Sequence, residues 1–222
     1  MFPRSVRHRR PQLDEAASRR HRLALAAAAG GGVALISAMV ARLGVDEHWP
    51  IDLRVRAVVA THRKPKTRAM LRMAGTAGAV GVYVPATVLA VLLVSSRRDT
   101  LRAMPIAGAV TSAAIASWLL KHAVKRPRPR GKHGPVNSHP SFPSGHATRA
   151  SATALTIAYV LLRERMAPHH VALPIAAGIS AAAGVSRAYA DAHWTTDVIG
   201  GWALGAATAA AAGLWYEHVR DD

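Results

Sequence analysis

Five stretches free of charged side chains dominate this chain: residues 23–40, 73–96, 103–120, 171–186 and 198–216. Each is long enough, or nearly so, to cross about 30 Å of hydrocarbon as an α-helix. A sixth stretch, 144–162, has similar length but carries His146 and Arg149. The expectation is an all-α polytopic membrane protein of six transmembrane helices, with its active site at one membrane face. The competing reading, a soluble helical protein with buried helices, is disfavoured because runs of this length are already at the membrane threshold.

Composition narrows the packing mode. Half of the 222 residues are hydrophobic, yet only two are Phe. Such a chain suits close packing of small residues, and the spacings Gly75/Gly78/Gly81 and Gly201/Gly205 predict close helix approach. The absence of cysteine excludes a disulfide framework and thiolate metal ligation. A formal charge of +17 calls for anionic partners: phosphate groups, acidic lipids or nucleic acid.

The chain divides into a basic arm, 1–22, and a six-helix membrane domain, 23–222. The arm holds seven arginines and shows no nucleic-acid motif, so it is read as a cytoplasmic tail touching anionic lipid rather than a nucleic-acid binder. The first apolar run exceeds a typical signal-peptide core and is expected to stay as a membrane helix. Residues 46–68 are too charged to span. They fit either an interfacial amphipathic helix, with Ile51, Val55, Val58 and Val59 at helical spacing, or an irregular loop. Residues 125–143 contain five prolines and form a long loop of the kind that carries function. His133 and His139 in that loop lack acidic or sulfur neighbours and are read as solvated.

Alternating crossings bring the polar oddities together. The end of the third helix, the start of the fourth, the end of the fifth and the start of the sixth must share one face. Those places hold Lys121 to Arg128, Ser144 to His146, Arg187, and His193 to Asp197. Lysine and arginine counts do not decide the orientation. The first helix usually sets it, which puts the arm in the cytoplasm and the cluster on the outer side.

These residue types suit phosphate chemistry. Lys121, Arg128 and Arg187 supply three cations, two of them planar forks matched to phosphate oxygens. Ser144 and Gly145 open a helix, where free N–H groups and the dipole favour an anion. His193 and Asp197 are four apart, so the carboxylate can fix the imidazole tautomer and leave the other nitrogen free to attack. His146, from another helix, can protonate the leaving oxygen and later activate water. Arg149, one turn on, points either to the site or to the interface. No metal-ligand cluster is visible, and no cofactor is expected.

The three segments, K-x6-R-P at 121–129, P-S-G-H at 143–146 and S-R-x5-H-x3-D at 186–197, resemble the signature of the type 2 phosphatidic acid phosphatase superfamily. The resemblance implies phosphate binding by Lys121, Arg128, Ser144, Gly145 and Arg187. It further implies His193 as nucleophile, Asp197 as its orienting partner and His146 as the acid. It implies a metal-independent lipid-phosphate phosphatase of the cytoplasmic membrane, acting on phosphatidate, phosphatidylglycerol phosphate or a polyprenyl (di)phosphate. The rivals are a lipid phosphotransferase using the same phosphohistidine, a vanadium-dependent haloperoxidase (a soluble class, against the apolar runs) and a non-catalytic binder of anionic lipid. Substrate, oligomeric state and the role of Arg149 are open at this level.

Overall fold

The computed structural model describes residues 9–44, 48–62, 64–129 and 139–221. Residues 1–8 of the arm and 130–138 of the long loop, His133 included, lie outside the described residues. The described chain is helical: α1 (Arg9–Leu43), α2 (Pro50–Thr61), α3 (Pro65–Ala74), α4 (Val80–Arg97), α5 (Met104–Val124), α6 (Gly145–Arg163), α7 (His169–Tyr189) and α8 (Thr195–Asp221). Among the described residues five segments are long and apolar enough to cross a membrane: Ser18–Leu43, Val80–Arg97, Thr100–Val124, His169–Tyr189 and Thr195–Asp221. Large apolar side chains such as Val33, Leu92, Ile115, Val171 and Ile175 stand exposed on α1, α4, α5 and α7. That outer surface is far too apolar for water and suits a bilayer.

The sixth expected span, α6, falls short of that apolarity, so the count by composition is five rather than six. Its place in the fold explains why. It lies in the middle, packed against α4, α5, α7 and α8. Its buried positions are small or hydroxylated, among them Ala147, Thr148, Ala150, Ser151, Thr153 and Thr156. A helix walled by other helices can carry polar and ionisable residues that a lipid-facing helix cannot.

Glycine decides how closely that wall approaches. A Cβ at Gly201 would fall 2.7 Å from the Ser144 carbonyl oxygen, and one at Gly205 would fall 2.6 Å from the Thr148 carbonyl oxygen. The Gly201/Gly205 spacing is thus the α6–α8 contact, as its small-residue pattern requires. Gly81, by contrast, has open space around it and serves no packing contact.

Three boundaries differ from the sequence reading. α1 starts at Arg9, so the helix runs unbroken from the basic residues into the first span. The 46–68 segment forms two short helices, α2 and the start of α3, with Pro65 at the first position of α3. The 73–96 run is broken by a 3-10 turn at Gly75–Gly78, and the spanning helix begins only at Val80.

α1 and α8 run antiparallel: Gly213 meets Leu25 and Gly32 meets Ala207. At the end where α1 enters, two buried carboxylates gather the helices. Glu164 accepts hydrogen bonds from Arg98 Nε at 2.7 Å and Tyr216 OH at 2.6 Å. Glu217 accepts from Tyr159 OH at 2.6 Å and from Arg163 at 2.7 and 2.8 Å. Both acids are almost fully buried, and each is neutralised by arginine, without which burial would be prohibitive. The sequence-predicted cluster sits at the opposite end.

Candidate active site

The C-terminal turn of α5 and the chain after it, the first turn of α6, the last turn of α7 and the first turn of α8 converge, as the alternation of crossings requires. The charges of Arg187, Arg149, His193 and Arg128 all bear on the His146 imidazole. Those of Lys121, Arg128 and Asp197 bear on His193. The Ser144 N–H donates to the Asp197 backbone carbonyl at 2.9 Å, with Gly145 next in the chain, so the eight predicted residues gather at this end.

Asp197 is its hub. The carboxylate is completely buried in the first turn of α8, where a negative charge complements the helix N-terminus. Its Oδ2 accepts the Trp194 backbone N–H at 2.9 Å and lies 3.4 Å from His193 Nδ1. Its Oδ1 accepts from Arg126 Nη1 at 2.6 Å. α8 begins at Thr195, so His193 precedes the helix rather than opening it. The imidazole still reaches the carboxylate because residues 190–194 turn back over the end of α7. At 3.4 Å the pair is in ion-pair range and Nδ1 makes no closed hydrogen bond; catalytic hydrogen bonds often tighten only when substrate binds.

Two residues of this network were not found from sequence. Arg126 is buried, and its other nitrogen, Nη2, donates to Asp52 Oδ2 at 2.7 Å. Asp52, on α2, also accepts the Thr196 backbone N–H at 2.8 Å and the Thr196 hydroxyl at 2.9 Å. One guanidinium thus bridges two buried carboxylates and ties α2 to the head of α8. The adjacent Arg126-Pro127 repeats the Arg-Pro pair of the motif, which was the available signal for Arg126. Asp52 is one of three acids in the 46–68 segment, with Asp46 and Glu47, and nothing in the sequence singled it out.

The hydrogen bonds assign the His193 tautomer. Arg128 Nη1 lies 3.2 Å from Nε2, and a guanidinium can only donate. Nε2 is therefore the acceptor with its lone pair toward the site, and Nδ1 carries the proton toward Asp197. Burial pushes the imidazole down to about 4, outweighing the Asp197 carboxylate that favours the charged form. Because the folded pKa lies below the unfolded one of about 6.5, the unfolded chain binds the extra proton first. The stability His193 contributes is present above pH 6.5 and is lost as pH falls toward 4. The expected nitrogen NMR result is a ring that stays neutral from pH 7.5 to 5.5, its signal identified by loss in His193→Gln. A midpoint near 6.5 contradicts this assignment.

The cations divide their work. Arg128 donates from Nε to the His139 carbonyl at 2.9 Å and from Nη1 to the Ala192 carbonyl at 2.6 Å, which fixes its fork beside His193. Lys121 Nζ donates to the carbonyls of Pro140, Ser141 and Pro143 at 3.0, 3.3 and 2.7 Å. An ammonium has three donors, so Lys121 holds the approach to α6 in shape and adds its charge from behind. Arg187 Nε donates to Ser186 Oγ at 3.2 Å. The Ser144 hydroxyl, expected as a phosphate donor, is buried with no hydrogen-bond partner and does not cap α6. The hydroxyls of Ser151, Thr153 and Thr156 farther along α6 share that condition, so it does not by itself mark Ser144 as a ligand donor.

Further contacts explain the glycines and Asp191. A Cβ at Gly75 would lie 2.4 Å from Arg187 Nη2, and one at Gly78 would lie 2.4 Å from the His146 carbonyl oxygen. The 3-10 turn that interrupts the 73–96 run is therefore packed directly on the site. Gly145 makes room for Arg149, whose Nη1 would sit 2.9 Å from a Cβ there. Asp191 takes the left-handed conformation at φ 53° and pairs with Arg56 Nε at 3.2 Å, anchoring α2. Among the described residues no three His, Asp or Glu side chains group as a metal-ligand set.

Comparisons with known proteins agree with this geometry. Phosphatidylglycerophosphatase B of Bacillus subtilis (strain 168) is 38% identical over 94 residues, 41% of this chain and 46% of that protein, so the alignment spans just under half of its length. The crystal structure of a transmembrane PAP2 type phosphatidylglycerolphosphate phosphatase from Bacillus subtilis superposes with a TM-score of 0.74 at 24% identity, covering 82% of this chain and 92% of that one. Aquifex aeolicus LpxE superposes with a TM-score of 0.60 at 23% identity, covering 76% and 98%. At such identities the two structures speak for the fold. The profile of the PAP2 superfamily matches residues 102–221, from the link before α5 to the end of α8. That span contains the arginine, serine and histidine cluster entire, and the chain belongs to the PAP2 superfamily.

Proposed function

We propose that this chain is a metal-independent lipid-phosphate phosphatase working through a phosphohistidine at His193. The observation that carries the reading is the His193 ring itself: Nδ1 toward a buried Asp197, Nε2 toward Arg128. A neutral imidazole held this way keeps its proton on Nδ1, and its Nε2 lone pair, which accepts from Arg128, turns to phosphorus once the phosphoryl oxygens take up the Arg128 donors. Arg128, Arg187, Lys121 and the N–H groups opening α6 stabilise the charge that builds on the five-coordinate phosphoryl group. His146 protonates the leaving oxygen and then takes a proton from the water that frees phosphate. The candidate substrates are phosphatidate, phosphatidylglycerol phosphate and polyprenyl (di)phosphates, and the names of the relatives favour a phosphorylated lipid. The basic end of α1 lies opposite the site, which fits a multi-pass protein of the cytoplasmic membrane with its site on the outer side and its arginines against anionic lipid.

Purified protein in lipid-like micelles is expected to release phosphate from these lipids in the presence of EDTA. Orthovanadate, which adopts five-coordinate geometry among the same cations, is expected to inhibit. Release that requires added Mg²⁺, or full resistance to vanadate, contradicts the scheme. Labelled phosphate that appears on a lipid or sugar acceptor instead of in solution converts the reading to a phosphotransferase.

A further inference from the structure

We propose that Arg149 is a second phosphate-binding cation, and that it makes this chain prefer lipid diphosphates to lipid monophosphates. The inference rests on the phosphatase reading above and adds a substrate class to it. Arg149 lies one turn beyond His146 on α6, on the same helical face. Its Nε and Nη2 donate to the Gly78 carbonyl at 3.3 and 3.2 Å, and its guanidinium carbon lies 5.4 Å from the centre of the Tyr83 ring. These contacts hold the fork still. The remaining nitrogen, Nη1, lies over Gly145 and has no acceptor among the described residues. Among the described residues no carboxylate pairs with Arg149, although its charge bears on both His146 and Lys121.

Two features place a second anion here. Arg128, Arg187 and Arg149, with the charge of Lys121 behind them, gather around a site where Asp197 is already paired with Arg126. A diphosphate carries a further charge beyond a phosphate monoester and matches this excess better. The second feature is order along α6. Immediately after Arg149 begins an apolar groove of about 290 Å³, lined by Tyr83, Ala150, Ala154, Ile157, Ile175 and Ile179. Nucleophile, acid, Arg149 and groove therefore follow one another. A lipid tail in the groove places the group next to the scissile bond on Arg149. In a diphosphate that group is the inner phosphoryl; in a monophosphate it is a neutral carbon.

The step balances as follows. His193 Nε2 forms a bond to the terminal phosphorus while the bond from phosphorus to the bridging oxygen breaks. The electron pair stays on that oxygen, which takes a proton from His146, and the lipid monophosphate leaves with its inner phosphoryl group against Arg149. Water then bonds to phosphorus, the P–N bond breaks with its pair returning to Nε2, and His146 receives the proton of water.

The test compares farnesyl diphosphate with farnesyl monophosphate, which share one tail, on the full chain in lipid-like micelles. In Arg149→Met the ratio of kcat/KM for diphosphate over monophosphate is expected to fall on the order of 30-fold, the loss of one charge-assisted contact. Arg149→Lys is expected to restore part of that ratio. A ratio taken on one preparation is independent of the fraction folded. A ratio unchanged within about threefold overturns the assignment while phosphatase activity stands. Wild-type protein that cleaves neither substrate overturns the phosphatase reading as well.

Discussion

His193→Ala is expected to lower phosphate release by at least about 10⁴-fold, with the fold retained. Losing a nucleophile removes the covalent step outright, and the cations left behind supply only the modest catalysis of charge and position. The substitution empties a buried position, but it leaves Asp197 bound to Arg126 and to the Trp194 N–H, so no buried charge is stranded. Two measurements check it: phosphate release, and capture of labelled phosphate on protein from a rapidly quenched reaction. Wild type is expected to retain acid-labile label and the variant none. Turnover within about tenfold of wild type excludes His193 as nucleophile.

Arg126→Met is expected to cost about 3–5 kcal/mol of stability, the usual penalty for removing one partner of a buried ion pair. The loss is large because the side chain serves two acids: Asp52 and Asp197 are both fully buried, and both point at its guanidinium. Without it the two carboxylates face each other across a dry gap. Thermal unfolding in micelles measures the effect, and adding Asp52→Asn to the variant is expected to recover part of it by removing one stranded charge. A change below about 1 kcal/mol shows that the network is not what holds α2 on α8. Activity is expected to fall with stability, since Arg126 also fixes the carboxylate that orients His193.

Much of the site was legible because its residues sit at helix ends at fixed spacings. Lys121, Arg128, His146, Arg187, His193 and Asp197 could be put on one face by counting crossings alone. Arg126 and Asp52 could not be paired that way. They meet through a 74-residue separation between two segments outside the spanning helices, and periodicity says nothing about where α2 lies. Arg149 was left between two roles because helical position gives a direction but not a neighbour. Its neighbours, Gly78 in the 3-10 turn and Tyr83 on α4, come from two other elements.

The fold divides in the same manner. Chain composition determined an all-helical membrane protein, because an uncharged run near twenty residues long has few other ways to satisfy its backbone. Tertiary structure decided which helix lies inside: α6 is too polar to face lipid, and only its enclosure by four neighbours makes its hydroxyls and ionisable groups tolerable. It also decided that the second apolar run starts with a tight turn, since glycines that allow close packing on Arg187 and His146 look, in sequence, like any other part of a span. Local chemistry puts cations, histidines and a serine at helix ends; only packing gathers them at one end of the bundle and leaves the Ser144 hydroxyl without a partner among the described residues.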